Sequence, residues 1–379
     1  MALTTRITVE NQDFLAAARQ FLVDVLNSPS IDAVMVPLIS EGGHSIMPEL
    51  VTIPSRLEQA DPLSPCFAMN AARLVSKLTR KPGNKKIAAV LRPCEVRALV
   101  ELVKLKQARL DNLIVISMDC LGAYSNKDWT RINASGPDNF TRTFYEKQLT
   151  GKLPKDGESD ITSACMACEY PVSDQADITF NFLGTDITRE FHITGKSDAG
   201  ETLIRELGLE TAELPRDRDA RIEDLTRRRL AFRDDMFART REAVAPLDKL
   251  AVYFERCVNC YNCRVACPVC YCRECVFNTD VFDHDPFQYM EKAQRSGSLR
   301  LPSDTLFFHI TRMAHMSLSC VGCGQCSNAC PNEIPVMEVF RLAGSAAQEG
   351  FGYFPGLKKD AAPPLSEFKE QEFEEVVGI

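Results

Sequence analysis

Two runs of cysteine constrain this chain more than anything else in it. The first reads Cys257-Val-Asn-Cys260-Tyr-Asn-Cys263-Arg-Val-Ala-Cys267-Pro268, and the second Cys320-Val-Gly-Cys323-Gly-Gln-Cys326-Ser-Asn-Ala-Cys330-Pro331. Both have the spacing C-x2-C-x2-C-x3-C-P, which holds a pair of [4Fe–4S] cubanes with the fourth cysteine of each run going to the other cluster. The tight turn lets three thiolates meet three irons of one cubane, its N–H groups face the cluster sulfurs, and the proline directs the chain away. Zinc is the competing reading, but zinc takes four ligands from paired C-x2-C hooks and does not call for two complete runs of four. The expected ligand sets are Cys257, Cys260, Cys263 and Cys330 for one cluster, and Cys320, Cys323, Cys326 and Cys267 for the other.

The chain holds 16 cysteines, five of them in residues 1–250 and eleven between Cys257 and Cys330. That asymmetry divides it into two chemically different regions near residue 245. Its 379 residues, at roughly 150 per domain, allow two or three domains. A formal net charge of -8 argues against nucleic acid as a partner, because phosphate binding needs a basic face. No run of about 18 apolar residues is present, so no membrane span is expected. The opening residues from Met1 to Arg6 lack the apolar stretch of a secretory signal. The expectation is a cytoplasmic chain whose cysteines are thiolates rather than disulfides.

The first region alternates helical and strand patterns. Residues 11–27 put Phe14, Leu15, Ala18, Phe21, Leu22, Val25 and Leu26 on one helical face. Residues 31–38 read as a buried strand, broken by Glu41-Gly42-Gly43-His44. A helix over 68–79, a strand over 86–91, a strong helix over 95–107 and a strand over 113–117 follow. The last three form a βαβ unit, so its strands should be parallel neighbours. Residues 177–182 alternate Ile178, Phe180 and Phe182, which predicts a half-buried strand. The Arg-, Asp- and Glu-rich stretch 216–241 reads as an exposed helical connector, with a partner-docking helix as the alternative. The expected division is an α/β domain over 1–198, a charged helical connector over 199–250, a mostly α, loop-rich ferredoxin-like domain over 251–350 and an extended acidic tail over 351–379.

Other cysteines carry chemistry as well. Cys94 follows the 86–91 strand and Cys120 the 113–117 strand, so both should sit on the carboxyl edge of a parallel sheet, where α/β folds place ligands. Cys165-Met-Ala-Cys168 adds a C-x2-C hook, and these four can make a third [4Fe–4S] site; a zinc hook or buried free thiols are the alternatives. Cys270, Cys272 and Cys275 would complete a fourth set of four with Cys66, although nothing in the sequence relates Cys66 to them. The C-x3-C-x2-C spacing at Cys263, Cys267 and Cys270 is embedded in the first run, and too little chain follows for the barrel that radical chemistry on that motif needs. His309 and His315 flank Arg312 on an amphipathic helix over 305–318, where a structural or cluster-tuning role outweighs metal ligation. His44 is a candidate cofactor contact or a surface histidine.

Pro93-Cys94-Glu95 after one strand, Asp119-Cys120-Leu121-Gly122 after the next, and Cys165-Met-Ala-Cys168 before Ala176-Asp177-Ile178 resemble the beta-subunit family of coenzyme F420-reducing hydrogenases and formate dehydrogenases. The order of Cys257 to Pro268, then Cys270-Tyr-Cys272-Arg-Glu-Cys275, then Phe308-His309-Ile310-Thr311-Arg312-Met313 ahead of Cys320, is similar to the formate dehydrogenase branch. The resemblance covers roughly residues 30–355. It implies an α/β domain that binds FAD beside its own [4Fe–4S] cluster, with the flavin exchanging a hydride with a two-electron carrier and the clusters passing electrons to partner subunits. Those partners would be formate dehydrogenase alpha-like or heterodisulfide-reductase-like, with a hydride carrier or ferredoxin. No G-x-G-x-x-G fingerprint is present. By position in the fold, Gly42, Gly43, Asn70 and Lys77 are the candidate flavin contacts. Nothing in the chain could do formate chemistry itself. A flavin-free polyferredoxin with a docking domain, and an iron–sulfur scaffold or sensor, are the competing functions.

Overall fold

The computed structural model describes residues 2–40, 42–43, 45–134, 140–149 and 161–366. Among them, β1 (Thr4–Thr8), β2 (Ala33–Ile39), β3 (Ile46–Val51), β4 (Ile87–Val90), β5 (Leu113–Met118), β6 (Ile178–Asn181) and β7 (Glu190–Gly195) form one sheet in the order β1-β7-β6-β5-β4-β2-β3. The four central strands β2, β4, β5 and β6 are parallel, and β3, β7 and β1 close the edges antiparallel. The βαβ unit forms as expected, with helix Pro93–Lys104 crossing between β4 and β5. Helix Phe14–Asn27 starts at Asp13, whose side chain caps Ala16 N, and buries Phe14, Ala18, Phe21, Leu22, Val25 and Leu26 against the sheet.

Three strands escaped the sequence reading, namely β1, β3 and β7. In β2 and β3 Pro37 and Pro48 face each other, which weakens the strand pattern and is tolerated because β3 is an edge. The strand expected to be half-buried is buried throughout. Phe180 and Phe182 pack in an aromatic cluster with Phe191, while Asn181 on the other face is buried too and donates to Thr194 Oγ1 at 2.9 Å. Alternation along a strand records polarity, and here the polar face finds its hydrogen bonds inside the protein.

The charged stretch is one helix, Arg218–Val244. It is more than an exposed connector, because Arg218, Arg229, Met236, Phe237 and Thr240 are buried along one stripe. Residues 198–206 form a helix that buries Gly200, Leu203 and Ile204 against the sheet, so they continue the first region. The beginning of the expected tail is also packed: Tyr353 donates to Glu101 and Gly356 N–H to Glu101 Oε1 at 2.8 Å. Residues 367–379 of that tail lie outside the described residues.

The cysteine-rich region is short helices joined by loops, with Pro286–Ser296, Thr305–Met316 and Val336–Gly350 the long ones. It does not stand apart from the sheet. A single apolar core contains Leu99 and Leu102 of the crossover helix together with Leu250, Phe254, Val321, Val336 and Phe340. Arg97, buried on the crossover helix, donates to the carbonyls of Pro355 and Val321, so the helix after β4 is the seam between the two regions.

Candidate metal centre

Cys94 is the second residue of helix Pro93–Lys104, directly after the carboxyl end of β4. A helix N-terminus favours a thiolate. The start is fixed by Glu95, whose side chain accepts from Arg92 N at 2.8 Å and Ala71 N at 2.7 Å. Cys120 leaves β5 through Asp119, which is fully buried and accepts from Phe182 N, Leu183 N and both terminal nitrogens of Arg218. Cys165 lies in a single helical turn, Ser163–Met166, capped by Thr162, and Cys168 follows just after it. Gly122 lets that turn approach: its φ is +110° and a Cβ there would collide with Ile161 and touch Cys165. Sheet edge and hook thus meet. Cys94, Cys120, Cys165 and Cys168 line one cavity with Phe67, Arg92, Tyr170 and Arg229.

The same wall includes Gly322 and Cys323 of the second run. Cys323 also neighbours Cys267 and Cys320, and Cys326 neighbours all three. In the remaining set, Cys257, Cys260, Cys263 and Cys330 line a second cavity with Tyr261, Phe308 and His309. Each expected set of four is therefore brought together. The order is the Cys94 set, the Cys320 set, then the Cys257 set, with Cys323 lining the first cavity and Cys263 and Cys267 on one short helix, Asn262–Ala266, and its C-cap. Cys260 at the far end is exposed.

Burial raises several of these thiols, Cys120 and Cys263 to about 11 and Cys267 to about 12. Such groups keep their protons until a metal takes their place, and loading releases those protons. Among the described residues no three His, Cys, Asp or Glu side chains converge as on a single metal ion. A cubane asks for thiolates spread over separate iron corners rather than converging on one ion, and the donor set of two cavities each lined by four cysteines fits that demand. Cations stand at each set. Arg92 lies over the Phe67 ring at 4.8 Å and is paired with Glu95 at 3.6 Å, with Cys120, Cys94 and Cys66 as further neighbours. Arg229 donates to the Cys120 carbonyl at 3.0 Å. Arg312 Nη1 donates to Cys263 Sγ at 3.1 Å.

The other candidates divide. Cys270, Cys272 and Cys275 neighbour one another, but Cys66 does not join them. It is buried with Ile46 and Trp129 beside the sheet, its Sγ 3.4 Å from Asn126 Oδ1 and its thiol pushed up to about 12 by burial. The fourth set is corrected to a trio, because counting to four ignored which side of the molecule Cys66 is on. The flavin candidates do not form one site. Gly42 and Gly43 sit in the β2–β3 hairpin, Asn70 is buried with its amide beside the Cys323 thiol, and Lys77 is exposed. His44 lies outside the described residues. His309 is buried and stacked on Phe254 at 3.7 Å, with Nε2 3.4 Å from Cys257 Sγ; burial and Arg312 lower its pKa to about 3. His315 is exposed. Sequence reasoning missed Arg92 and Arg229. Arg92 stood next to Pro93-Cys94 and could have been suspected, whereas Arg229 was one arginine among many.

Comparison with known proteins agrees with this geometry. Residues 253–334 match the 4Fe-4S dicluster domain family. The F420-dependent formate dehydrogenase subunit beta of Methanocaldococcus jannaschii is 26% identical over 363 residues, 90% of this chain and 91% of that protein. The chain is a homologue of formate dehydrogenase beta subunits. A second such relative, the F420-dependent formate dehydrogenase 1 subunit beta of Methanococcus maripaludis, is 28% identical over 305 residues, 74% of this chain and 75% of that one. A chain of the F420-reducing [NiFe] hydrogenase complex from Methanosarcina barkeri, solved with xenon, aligns with a TM-score of 0.46 and 13% identity over 62% of this chain and 91% of that chain. The resemblance read from the cysteines is borne out, as is an α/β sheet followed by an iron–sulfur region. The function class is that of an iron–sulfur electron-transfer subunit of an oxidoreductase. Among the described residues no helix is long and apolar enough to cross a membrane.

Proposed function

We propose that this chain carries three [4Fe–4S] clusters in a line and passes single electrons between a two-electron carrier on the sheet side and a catalytic partner subunit at the other end. The observation that carries the reading is the continuity of the thiols: the Cys94, Cys120, Cys165 and Cys168 cavity is walled by Cys323, a member of the next set. Bound there, cubanes would supply one-electron redox steps at potentials set by charge, hydrogen bonds and exposure. The protein's own residues gather the thiols in fours, bury most of them wholly or in part, and place Arg92, Arg229 and Arg312 beside them, where these cations would offset anionic sulfur. Exposed Cys260 makes the Cys257 set the outlet.

The relatives' names supply the finer reading. A chain that meets a hydride carrier such as F420 needs a group that accepts two electrons and returns them singly, and FAD is that group. The partner would then be a formate dehydrogenase alpha-like or heterodisulfide-reductase-like subunit, with electron flow in either direction. The first test is iron, acid-labile sulfide and released flavin per chain on anaerobically purified protein. About 12 iron with one FAD is expected. About 8 iron without flavin would reduce the protein to a ferredoxin with a docking domain, and about 16 would bring the Cys270 trio into a fourth centre.

A further inference from the structure

Arg312 lies on helix Thr305–Met316 and is only 4% exposed. A guanidinium this deep is normally matched by a carboxylate, since an uncompensated buried charge is strongly destabilising. Among the described residues no carboxylate pairs with it, and its Nε is buried without a hydrogen-bond partner. Its surroundings are sulfur and aromatic carbon. Nη1 donates to Cys263 Sγ at 3.1 Å and Nη2 to the Cys263 carbonyl at 3.2 Å. The sulfurs of Cys267, Cys326 and Cys270 are close enough that, once ionised, their charge would also reach it. The rings of Phe308 and Phe340 hold the guanidinium, with centroids 5.4 and 4.7 Å from its carbon.

Cys263 belongs to one ligand set, and Cys267 and Cys326 to the other. We propose that Arg312 is the shared counter-charge of the two clusters held by the proline-closed runs, raising the reduction potential of both and tying the two values together. The proposal rests on the two-cluster reading of those runs. Each cluster gains one negative charge when it takes one electron, and a fixed cation stabilises the reduced form more than the oxidised one. Guanidinium does not lose its proton in proteins, so this charge is permanent. In a chain without clusters Arg312 would face protonated thiols and no anion, which is a poor reason to bury it. As a positioning residue it acts through the cysteines, with no contact to a substrate.

The test is a redox titration of the anaerobically purified full chain, with dithionite as electron donor and the reduced clusters followed by electron paramagnetic resonance. Iron and sulfide are counted first. R312Q and R312M, which remove the charge, should lower both midpoint potentials. At fixed solution potential the reduced-to-oxidised ratio should fall about tenfold for the cluster bearing Cys263, equivalent to about 59 mV for one electron, and by a smaller factor for the other. R312K, which keeps the charge, should hold both ratios within about twofold of wild type. Charge-removing variants with full iron content and unchanged midpoints, or with only one midpoint moved, would overturn the proposal. If those variants lose iron, R312K decides, and a tenfold drop there would overturn it. Wild-type protein without two such clusters would instead remove the reading beneath it, a result visible in the iron count before any variant is made.

Discussion

The two cysteine runs have one backbone and two environments. Asn259 and Tyr261 in the first, with φ of 50° and 59°, match Gly322 and Gly324 in the second, with φ of 69° and 78°. Left-handed residues at the same two places make the same turn. In the second run only glycine fits, because a Cβ on Gly324 would collide with Ala164 of the Cys165 turn. In the first run the side chains have room and are used: Asn259 bonds to Asp304 and Thr305, and Tyr261 packs on Phe308. Val258 is 58% exposed, and its counterpart Val321 is 5% exposed. The spacing makes the turn, and the neighbours decide whether it lies inside the molecule or at its surface, which under the proposed reading separates a relay from a terminus.

Breaking the buried side should cost most. Arg218→Ala leaves the Asp119 carboxylate buried without its cation, and removing one partner of such a pair costs about 3–5 kcal/mol. Denaturant unfolding would measure that loss, with iron leaving the Cys94 set before the Cys257 set. An Arg218→Ala chain as stable as wild type would show that the long helix is a connector after all.

A smaller effect is expected where the two regions touch. Gly324→Ala should destabilise by about 1–3 kcal/mol through overpacking against Ala164, with the left-handed backbone adding to it. Asn259→Ala, at the matching turn but free of any such collision, should lose its hydrogen bonds to Asp304 and Thr305, about 1 kcal/mol, plus the part of the left-handed penalty that asparagine tolerates better than alanine. Equal costs for the two would mean that the seam is looser than the packing indicates.

The mildest probe leaves the chain intact. An iron chelator added to oxidised protein should remove iron in phases, the cluster held by Cys257, Cys260, Cys263 and Cys330 first, because Cys260 is exposed. Cluster-specific spectra during the reaction would give the order. Loss from the buried second run first would reverse the assignment of relay and terminus.

Much of this was legible in the residues. Helix Phe14–Asn27 and the β4–helix–β5 unit follow from apolar periodicity, which reports the buried face wherever one side of an element is wet. The same signal found β6 but misjudged its second face, which is buried as well, and it failed at β3, where proline interrupts the pattern on an edge. It also failed for Arg218–Val244, whose buried stripe includes two arginines that hydropathy counts as exposed. At the site, the local spacings named the cysteines, but Cys66 was assigned by arithmetic, and counting carries no distance.

The sequence alone determined which cysteines belong to each cluster-binding turn, because ligand spacing within a turn is a local property of a few residues of backbone. It also determined that Cys94 and Cys120 share a sheet edge, since a right-handed βαβ crossover leaves little freedom. Only the tertiary structure decided that Cys323 walls the Cys94 cavity, that Cys66 stands apart, and that Arg312 lies among the sulfurs of both runs. Those are contacts between segments far apart in the chain, and they are selected by packing of a common core, which no local pattern encodes.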